Sequence, residues 1–108
     1  MITFSEFEKV ELRVGKILSV EKVPETDKLL KLLVDFQEEN PRQIVSGIAL
    51  HFPETQNLVD KKCIFVTNLE PRVIRGLESQ GMILAVSGED KFSLLEINSD
   101  IPAGAGVR

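Results

Sequence analysis

The sequence predicts a small all-β domain in which five strands close into a barrel. Short apolar runs recur along the chain and are separated by turn-forming residues. Long helical periodicity is absent, and the one helix expected inside the chain is short and follows the third strand. With 108 residues, the chain is most simply one domain, residues 1–108, built around a single hydrophobic core.

The N-terminal segment predicts a short helix that begins at Thr3. Glu6 follows Thr3 by three residues, which is the spacing of a capping box. A helix of about two turns would place Phe4, Phe7 and Val10 on one side. Because so short a helix is marginal without packing, it is expected to cover the core of the domain or to contact another subunit.

Two strands are predicted next. Glu11–Val23 is the longest stretch of alternating apolar and polar residues, and the alternation falters only at Gly15–Ile17. A glycine at such a point predicts a β-bulge or a bend. Lys28–Phe36 is apolar on both parities, so it is expected to be a largely buried strand. A helix over Lys28–Phe36 is the alternative on periodicity alone, and the flanking turns and short length favour the strand.

The rest of the chain predicts further strands, one helix and a tail. The strands are expected at Arg42–Ala49, Lys61–Thr67, Met82–Val86 and Phe92–Ile97. Pro53 opens a segment typical of a first helical turn, which places a short helix between strands three and four. Five or more short strands with one helix after the third match the order strand-strand-strand-helix-strand-strand of the five-stranded OB-fold. Residues 98–106 are rich in glycine and are expected to form an irregular C-terminal extension.

Composition narrows the class of protein. Hydrophobic residues make up 43% of the chain and charged residues 28%, which is ordinary for a folded domain. No apolar run approaches the ~18 residues of a membrane span, and the N-terminus has no secretory signal pattern. One cysteine and one histidine cannot form a disulfide or a standard metal site. We therefore expect a cytoplasmic location, no membrane contact, no metal and no cofactor.

Catalytic motifs are missing as well. His51 has no carboxylate near it in sequence, so a surface position is expected. Cys63 falls in a strand and is expected to be a small buried residue. Ser79 is not part of a Gly-x-Ser-x-Gly elbow, and there is no Gly-x-x-x-x-Gly-Lys phosphate loop. The sequence predicts a protein that is not an enzyme.

The connection Asn68–Met82 is the stretch most indicative of function. It contains two arginines three residues apart, Arg72 and Arg75, framed by the backbone breakers Pro71 and Gly76. The formal net charge of −4 counts against general nucleic-acid binding, but residues 61–86, which include this connection, carry four basic residues against two acidic ones. This combination of arginines and backbone-breaking residues predicts a binding surface for an anionic ligand that is rich in hydroxyl groups.

The aromatic residues limit how a nucleic acid could be bound. The chain has six Phe and neither Trp nor Tyr, and most of the Phe lie at apolar positions of predicted elements. Strong stacking of single-stranded bases is therefore not expected. Contacts to phosphate, ribose and overall shape are expected instead, as for structured RNA.

Five segments match a known family in order along nearly the whole chain. They are Glu11–Ile17, Asp27–Leu29, Ile44–Ile48, Asn68–Arg72 and Gly76–Met82. The chain resembles the tRNA-binding domain found at the C-terminus, or as the separate beta subunit, of many methionyl-tRNA synthetases. The same domain occurs in free dimeric tRNA-binding proteins and in endothelial-monocyte-activating polypeptides. The resemblance implies an OB-fold, a homodimer, and non-catalytic binding of tRNA by structure rather than anticodon sequence. A methionyl-tRNA synthetase catalytic chain is then an expected partner.

The resemblance also implies which residues face the RNA. These are Asn68, Arg72, Arg75, Ser79, Gln80 and Met82, with Arg13 and Lys28 as neighbours. Two positions depart from the family: Glu70 is often basic or neutral there, and Val73 is often lysine. Both departures imply weaker RNA binding.

A second function and the mode of assembly also follow from the resemblance. One branch of the family consists of secretion-related chaperones that bind unfolded polypeptide. Its members typically lack the Ser-Gln-Gly-Met run present at residues 79–82, which favours tRNA binding here. The implied homodimer would bury apolar groups outside the barrel, namely Phe4, Phe7, Ile101, Pro102 and Val107.

Overall fold

The computed structural model describes residues 1–108 and contains one short helix and nine strands. The helix is α1 (Phe4–Phe7). The strands are β1 (Leu12–Lys22), β2 (Leu30–Asp35), β3 (Arg42–Ser46), β4 (Lys62–Val66), β5 (Arg72–Ile74), β6 (Leu77–Ser79), β7 (Met82–Ile83), β8 (Ala85–Gly88) and β9 (Lys91–Leu94). The helix predicted between strands three and four is present as two 3₁₀ turns, Ala49–His51 and Thr55–Leu58. No helix is long and apolar enough to cross a membrane.

Five strands form one antiparallel sheet in the order β3-β2-β1-β4-β7. β1 pairs with β4 along its first half and with β2 along its second half, so this long strand belongs to both sides of the barrel. The strands β5–β6 and β8–β9 form two separate hairpins. The barrel is nearly closed where the end of β6 meets β3. The predicted all-β, OB-like barrel is confirmed.

The core lies inside the barrel and is centred on Phe36 and Phe65. Their rings meet edge to face, with centroids 5.3 Å apart and an interplanar angle of 86°. A Cβ atom built on Gly15 would lie 2.6 Å from side-chain atoms of both Phe36 and Val34. Gly15 is therefore needed because the core packs directly against its backbone.

The bulge predicted at Gly15 is in a different place. Gly15 pairs regularly with Cys63 of β4, and the register between β1 and β2 shifts between Ile17 and Ser19. Leu18, at that shift, is 37% exposed. The alternation in the sequence fails at Gly15 because of core packing, whereas the extra residue that bends the strand is Leu18.

The second strand is largely buried, as predicted, but one of its apolar residues faces outward. Leu30, Leu32 and Val34 are fully buried, whereas Leu33 is 39% exposed. β2 belongs to a single-layered barrel wall, so alternate side chains face the core and the outside. Strand rather than helix is confirmed for this segment.

The two chain ends lie outside the barrel. Helix α1 has the predicted capping box, in which Thr3 Oγ1 accepts from Glu6 N and Glu6 Oε1 accepts from Thr3 N. No residue of α1 is buried. The tail is more regular than predicted, because it runs antiparallel to β1: Gly104 N donates to Val14 O at 2.7 Å. The tail covers the stretch of β1 that β2 leaves unpaired.

Candidate nucleic-acid interface

The Asn68–Met82 connection is built around the β5–β6 hairpin, which the sequence did not predict. Ile74 pairs with Leu77 across a two-residue turn formed by Arg75 and Gly76. Both turn residues have positive φ, 53° and 79°, as a type I′ turn requires. Gly76 adopts this conformation easily, whereas Arg75 is a non-glycine residue in the left-handed region. The hairpin therefore places Arg75 at its tip.

The two arginines of the hairpin are free to bind a ligand. Arg72 and Arg75 are exposed, and neither forms a hydrogen bond or an ion pair through its side chain. Arg72 lies opposite Ser79 and Val73 opposite Glu78 in the hairpin register. Val73 is 74% exposed, so the hairpin also offers an apolar group to its surroundings.

Lys28 is brought close to the hairpin tip. A groove between the hairpin and the β1–β2 turn is lined by Lys28 and Arg75, together with Glu25, Thr26, Asp27, Leu29 and Ile74. Lys28 has no ion-pair partner either. Two residues that are far apart in sequence thus supply two positive charges to one concave surface.

Ser79 and Gln80 close the barrel against β3. Ser79 is only 4% exposed, and its hydroxyl accepts a hydrogen bond from Val45 N and donates one to Gly81 O, both at 3.0 Å. The Gln80 carboxamide oxygen accepts from Gln43 N at 3.0 Å, and Gln80 N donates to Gln43 O at 2.8 Å. These bonds replace a regular strand ladder and hold the hairpin in place.

Arg42 is an important residue that the sequence analysis missed. Its Nη1 donates to Thr67 O at 2.6 Å and to Gln80 O at 3.2 Å, at the two ends of the connection. Its Nε and Nη2 bind the carboxylate of Glu38. Hydrogen bonding from Arg42, with a further contribution from Arg13, lowers the pKa of Glu38 from about 4.5 to about 2. No local signal identifies this pair, because i, i+4 spacing brings side chains together on a helix, whereas Glu38 lies in the β2–β3 loop and Arg42 begins β3.

The Arg13 side chain is largely buried and joins the hydrogen bonds around Glu38 instead of extending into solvent. Its Nη2 donates to Phe36 O at 2.9 Å and its Nη1 to Glu38 at 3.1 Å. The guanidinium groups of Arg13 and Arg42 lie 5.5 Å and 5.4 Å from the centre of the Phe36 ring. A direct RNA contact by Arg13 stays a prediction, and the structure gives this residue a second role in fixing the tail and the β2–β3 loop.

Asn68 and Met82 lie at the two ends of the connection. The Asn68 carboxamide accepts from Glu11 N at 2.8 Å and donates to Lys9 O at 2.7 Å, so it fastens the N-terminal segment to the end of β4. Met82 pairs with Val66 and is 45% exposed. The predicted site residues thus fall in three places. Lys28 lies with Arg75 at the hairpin tip, and Ser79 and Gln80 pack against β3. Asn68 and Arg13 lie near the tail.

Cys63 and His51, the residues that could suggest catalysis, lie outside the Asn68–Met82 connection. Cys63 is fully buried, and burial raises the pKa of its thiol to about 11. His51 is exposed, as predicted, and its ring stacks on Phe92 with centroids 3.9 Å apart. No group of three or more His, Cys, Asp or Glu side chains is arranged to hold a metal ion.

Similarity to known proteins extends along nearly the whole chain. Residues 12–106 match the family model of the putative tRNA binding domain. A methionine–tRNA ligase of Lactococcus lactis is 47% identical over 105 residues, which is 96% of this chain but 16% of that protein. The chain thus spans about one sixth of the length of the curated relatives that it matches.

Two solved structures resemble the fold along the whole chain. A MetRS-related protein from Pyrococcus horikoshii is 41% identical, with a TM-score of 0.92 over 100% of this chain and 98% of that chain. The chaperone CsaA of Bacillus anthracis is 25% identical, with a TM-score of 0.86 over 100% of this chain and 99% of that one.

Proposed function

Because the chain belongs to the family of putative tRNA-binding domains, we propose that it is a non-catalytic module that binds tRNA. The observation that carries the proposal is the β5–β6 hairpin, whose two arginines have no partner within the chain. A guanidinium group without an internal partner is suited to bidentate bonds with phosphate oxygens. The hairpin tip and Lys28 together would contact the RNA backbone at more than one phosphate.

The predicted site residues divide into two roles in this proposal. Arg72, Arg75, Lys28 and Met82 are exposed and would touch the RNA directly. Ser79 and Gln80 have their polar groups engaged with β3, so they would act by holding the hairpin. Asn68 and Arg13 line one depression beside the tail, and because their side chains are also engaged within the chain, they would likewise act mainly by holding the neighbouring surface in place.

Recognition would depend on tRNA structure rather than on base sequence. Phe36 and Phe65 are buried in the core. Phe52 and Phe92 are partly buried and pack against the core. The exposed Phe4 and Phe7 lie in the N-terminal helix. The hairpin surface therefore has no aromatic platform for stacking bases, and phosphate and ribose contacts remain.

We further propose that the module works as a homodimer that raises the tRNA affinity of a methionyl-tRNA synthetase catalytic chain in the cytoplasm. Residues 1–11 are all exposed in the single chain, including Phe4 at 74%, and Ile101 of the tail is 38% exposed. A twofold contact between such segments would bury these apolar groups. Deletion of residues 1–9 should give a monomer or insoluble protein, and a deletion variant that stays dimeric by light scattering would place the interface elsewhere.

A salt titration tests the tRNA proposal. Binding of bulk tRNA, double-stranded RNA and single-stranded RNA is measured by fluorescence anisotropy across a range of salt concentrations. The logarithm of the tRNA affinity should fall by roughly 0.7 to 0.9 per logarithmic unit of salt for each phosphate contact. The rival function, a chaperone for unfolded polypeptide, predicts salt-insensitive binding of a denatured protein and no retention of tRNA. That result would reject the tRNA proposal.

A further inference from the structure

The β1–β2 turn, residues 23–29, lies between two grooves. One is the groove lined by Lys28 and Arg75. The other is lined by Lys22, Leu50 and Pro53, among others, and has a volume of about 400 Å³. Thr26, Asp27 and Leu29 line both grooves, so only this turn separates them. The residues that the family resemblance places against RNA do not include any that line only the second groove.

The turn is fixed by internal hydrogen bonds. Val23 N donates to Leu29 O at 3.2 Å, and the Thr26 hydroxyl donates to Val23 O at 3.0 Å. Ala49 N donates to Lys28 O at 2.9 Å, which anchors the turn to the 3₁₀ segment behind it. The side chains on the turn are therefore presented by a backbone that is already ordered, which lowers the entropic cost of binding.

The charges along this turn are not compensated within the chain. Lys22, Lys28 and Arg75 are exposed and form no ion pair. Asp27 is exposed between the two grooves, and its carboxylate accepts no hydrogen bond. Glu25 is also exposed and unpaired and lines only the groove of Lys28 and Arg75, so the surface has cations on both sides of two free carboxylates, of which Asp27 alone borders both grooves.

We propose that this turn holds a ribose–phosphate segment of RNA across both grooves. Lys22 binds a phosphate in the second groove, and Lys28 with Arg75 binds a neighbouring phosphate in the first. Asp27 accepts a hydrogen bond from a ribose 2′-hydroxyl between them. A carboxylate repels phosphate but is a strong acceptor for a hydroxyl donor, and the 2′-hydroxyl is what distinguishes RNA from DNA. The inference rests on the proposed tRNA function and adds Lys22 and Asp27 to it.

The phosphate contact is tested with Lys22→Ala. The affinity for bulk tRNA should fall by about three- to tenfold near 0.1 M salt, and the salt slope should become shallower by about one unit. Lys91→Ala is the matched control, because Lys91 is also exposed and unpaired but lines neither groove. Equal affinities and slopes for the two variants would overturn the role of Lys22.

The role of Asp27 is tested with an RNA hairpin and its 2′-deoxy counterpart of identical sequence. Asp27→Ala should reduce the preference for RNA over DNA by about fivefold or more, since it removes the acceptor for the 2′-hydroxyl. Asp27→Asn is the control, because it removes the charge and keeps an acceptor oxygen, so the preference should persist. An unchanged preference in Asp27→Ala would overturn the inference.

The two proposals fail in different ways. If the unaltered protein retains no RNA at low salt, the proposed function is rejected and this inference with it. If the unaltered protein binds tRNA with a steep salt slope while Lys22→Ala and Asp27→Ala behave like it, only the two-groove inference is rejected. Circular dichroism of each variant verifies that the exposed substitutions leave the fold intact.

Discussion

Arg42 and Glu38 form a two-point ion pair in which Nε and Nη2 of the guanidinium each donate to one carboxylate oxygen at 2.8 Å. The same guanidinium binds the carbonyl oxygens of Thr67 and Gln80 through Nη1. Glu38 therefore orients the arginine that joins both ends of the Asn68–Met82 connection to β3. The position of the proposed RNA surface depends on this pair, although neither residue is expected to touch RNA.

The ion pair predicts a pH-dependent contribution to stability. The pKa of Glu38 is about 2 in the folded protein and near 4.5 when unperturbed. The contribution is therefore fully present above about pH 4.5 and is lost as the pH falls toward 2. Because the Glu38 side chain is 32% exposed, solvent screening reduces its contribution to about 1 kcal/mol.

The measurement is urea unfolding of Glu38→Gln and of the unaltered protein at pH 7 and at about pH 2. We expect the variant to be less stable at pH 7 and the difference to be nearly absent at the lower pH. Glu39→Gln, which removes an exposed neighbouring carboxylate without an ion-pair partner, is the control. A stability difference that is the same at both pH values would contradict the assignment.

The order of elements was predictable because it depends on local signals. The capping box at Thr3 and the turn-forming residues between the strands are patterns of a few adjacent residues, and the structure confirms them. The bulge was placed at Gly15 instead of Leu18 because its position depends on the register with β2. The sequence shows that the alternation of apolar and polar residues is interrupted. It does not show at which residue the pairing with the neighbouring strand shifts.

The candidate site was predictable in part for the same reason. The exposure of Arg72 and Arg75 follows from the proline and glycine that frame them. The partners of Ser79 and Gln80, Val45 and Gln43, lie more than 30 residues earlier in the chain. Hydrogen bonds across that separation are set by how the barrel closes, and no local pattern identifies them.

The two hairpin arginines are predicted to contribute to affinity through charge. Replacement of both Arg72 and Arg75 by alanine should lower tRNA affinity by roughly one to three orders of magnitude, because each charge-assisted bond contributes about 1.5–3 kcal/mol at most and less when exposed. The salt slope should become shallower by up to about two units. Fluorescence anisotropy at several salt concentrations measures both quantities. Unchanged affinity and slope in a folded double variant would remove the hairpin from the RNA surface.

Ser79→Ala is predicted to act through the fold instead of through charge. The substitution leaves the buried Val45 N–H without an acceptor, which should destabilise the protein by about 1–3 kcal/mol. Affinity for tRNA should fall because the hairpin is less firmly held, while the salt slope should stay nearly the same. Chemical denaturation and the same anisotropy titration test this. Full stability combined with weakened binding would indicate that the hydroxyl contacts RNA directly.

Cys63 is predicted to be unreactive in the folded protein. Its side chain is fully buried, and the pKa of its thiol is raised to about 11 mainly by burial. The reactive thiolate is therefore scarce at pH 8 and is shielded from reagents. Reaction with a thiol-specific chromogenic reagent should be slow in buffer and fast in denaturant. Rapid labelling under native conditions would show that β4 opens readily from the barrel.

The hairpin tip provides a test in which stability and binding change in opposite directions. Arg75 has a φ of 53°, which costs a non-glycine residue on the order of 1 kcal/mol, whereas glycine adopts this conformation without strain. Because the Arg75 side chain forms no hydrogen bond or ion pair in the chain, Arg75→Gly removes strain and loses no internal polar contact. The free energy of unfolding should rise slightly or stay unchanged.

The same substitution should weaken tRNA binding by about tenfold, because one charge-assisted contact is lost. Arg75→Lys is the matched control: it keeps the charge and the strain but not the planar fork, so binding should fall less. Thermal unfolding and anisotropy measured on the same preparations give both quantities. If Arg75→Gly bound tRNA as tightly as the unaltered protein, Arg75 would not contact RNA. The phosphate contacts of this surface would then come from Arg72 and Lys28 alone.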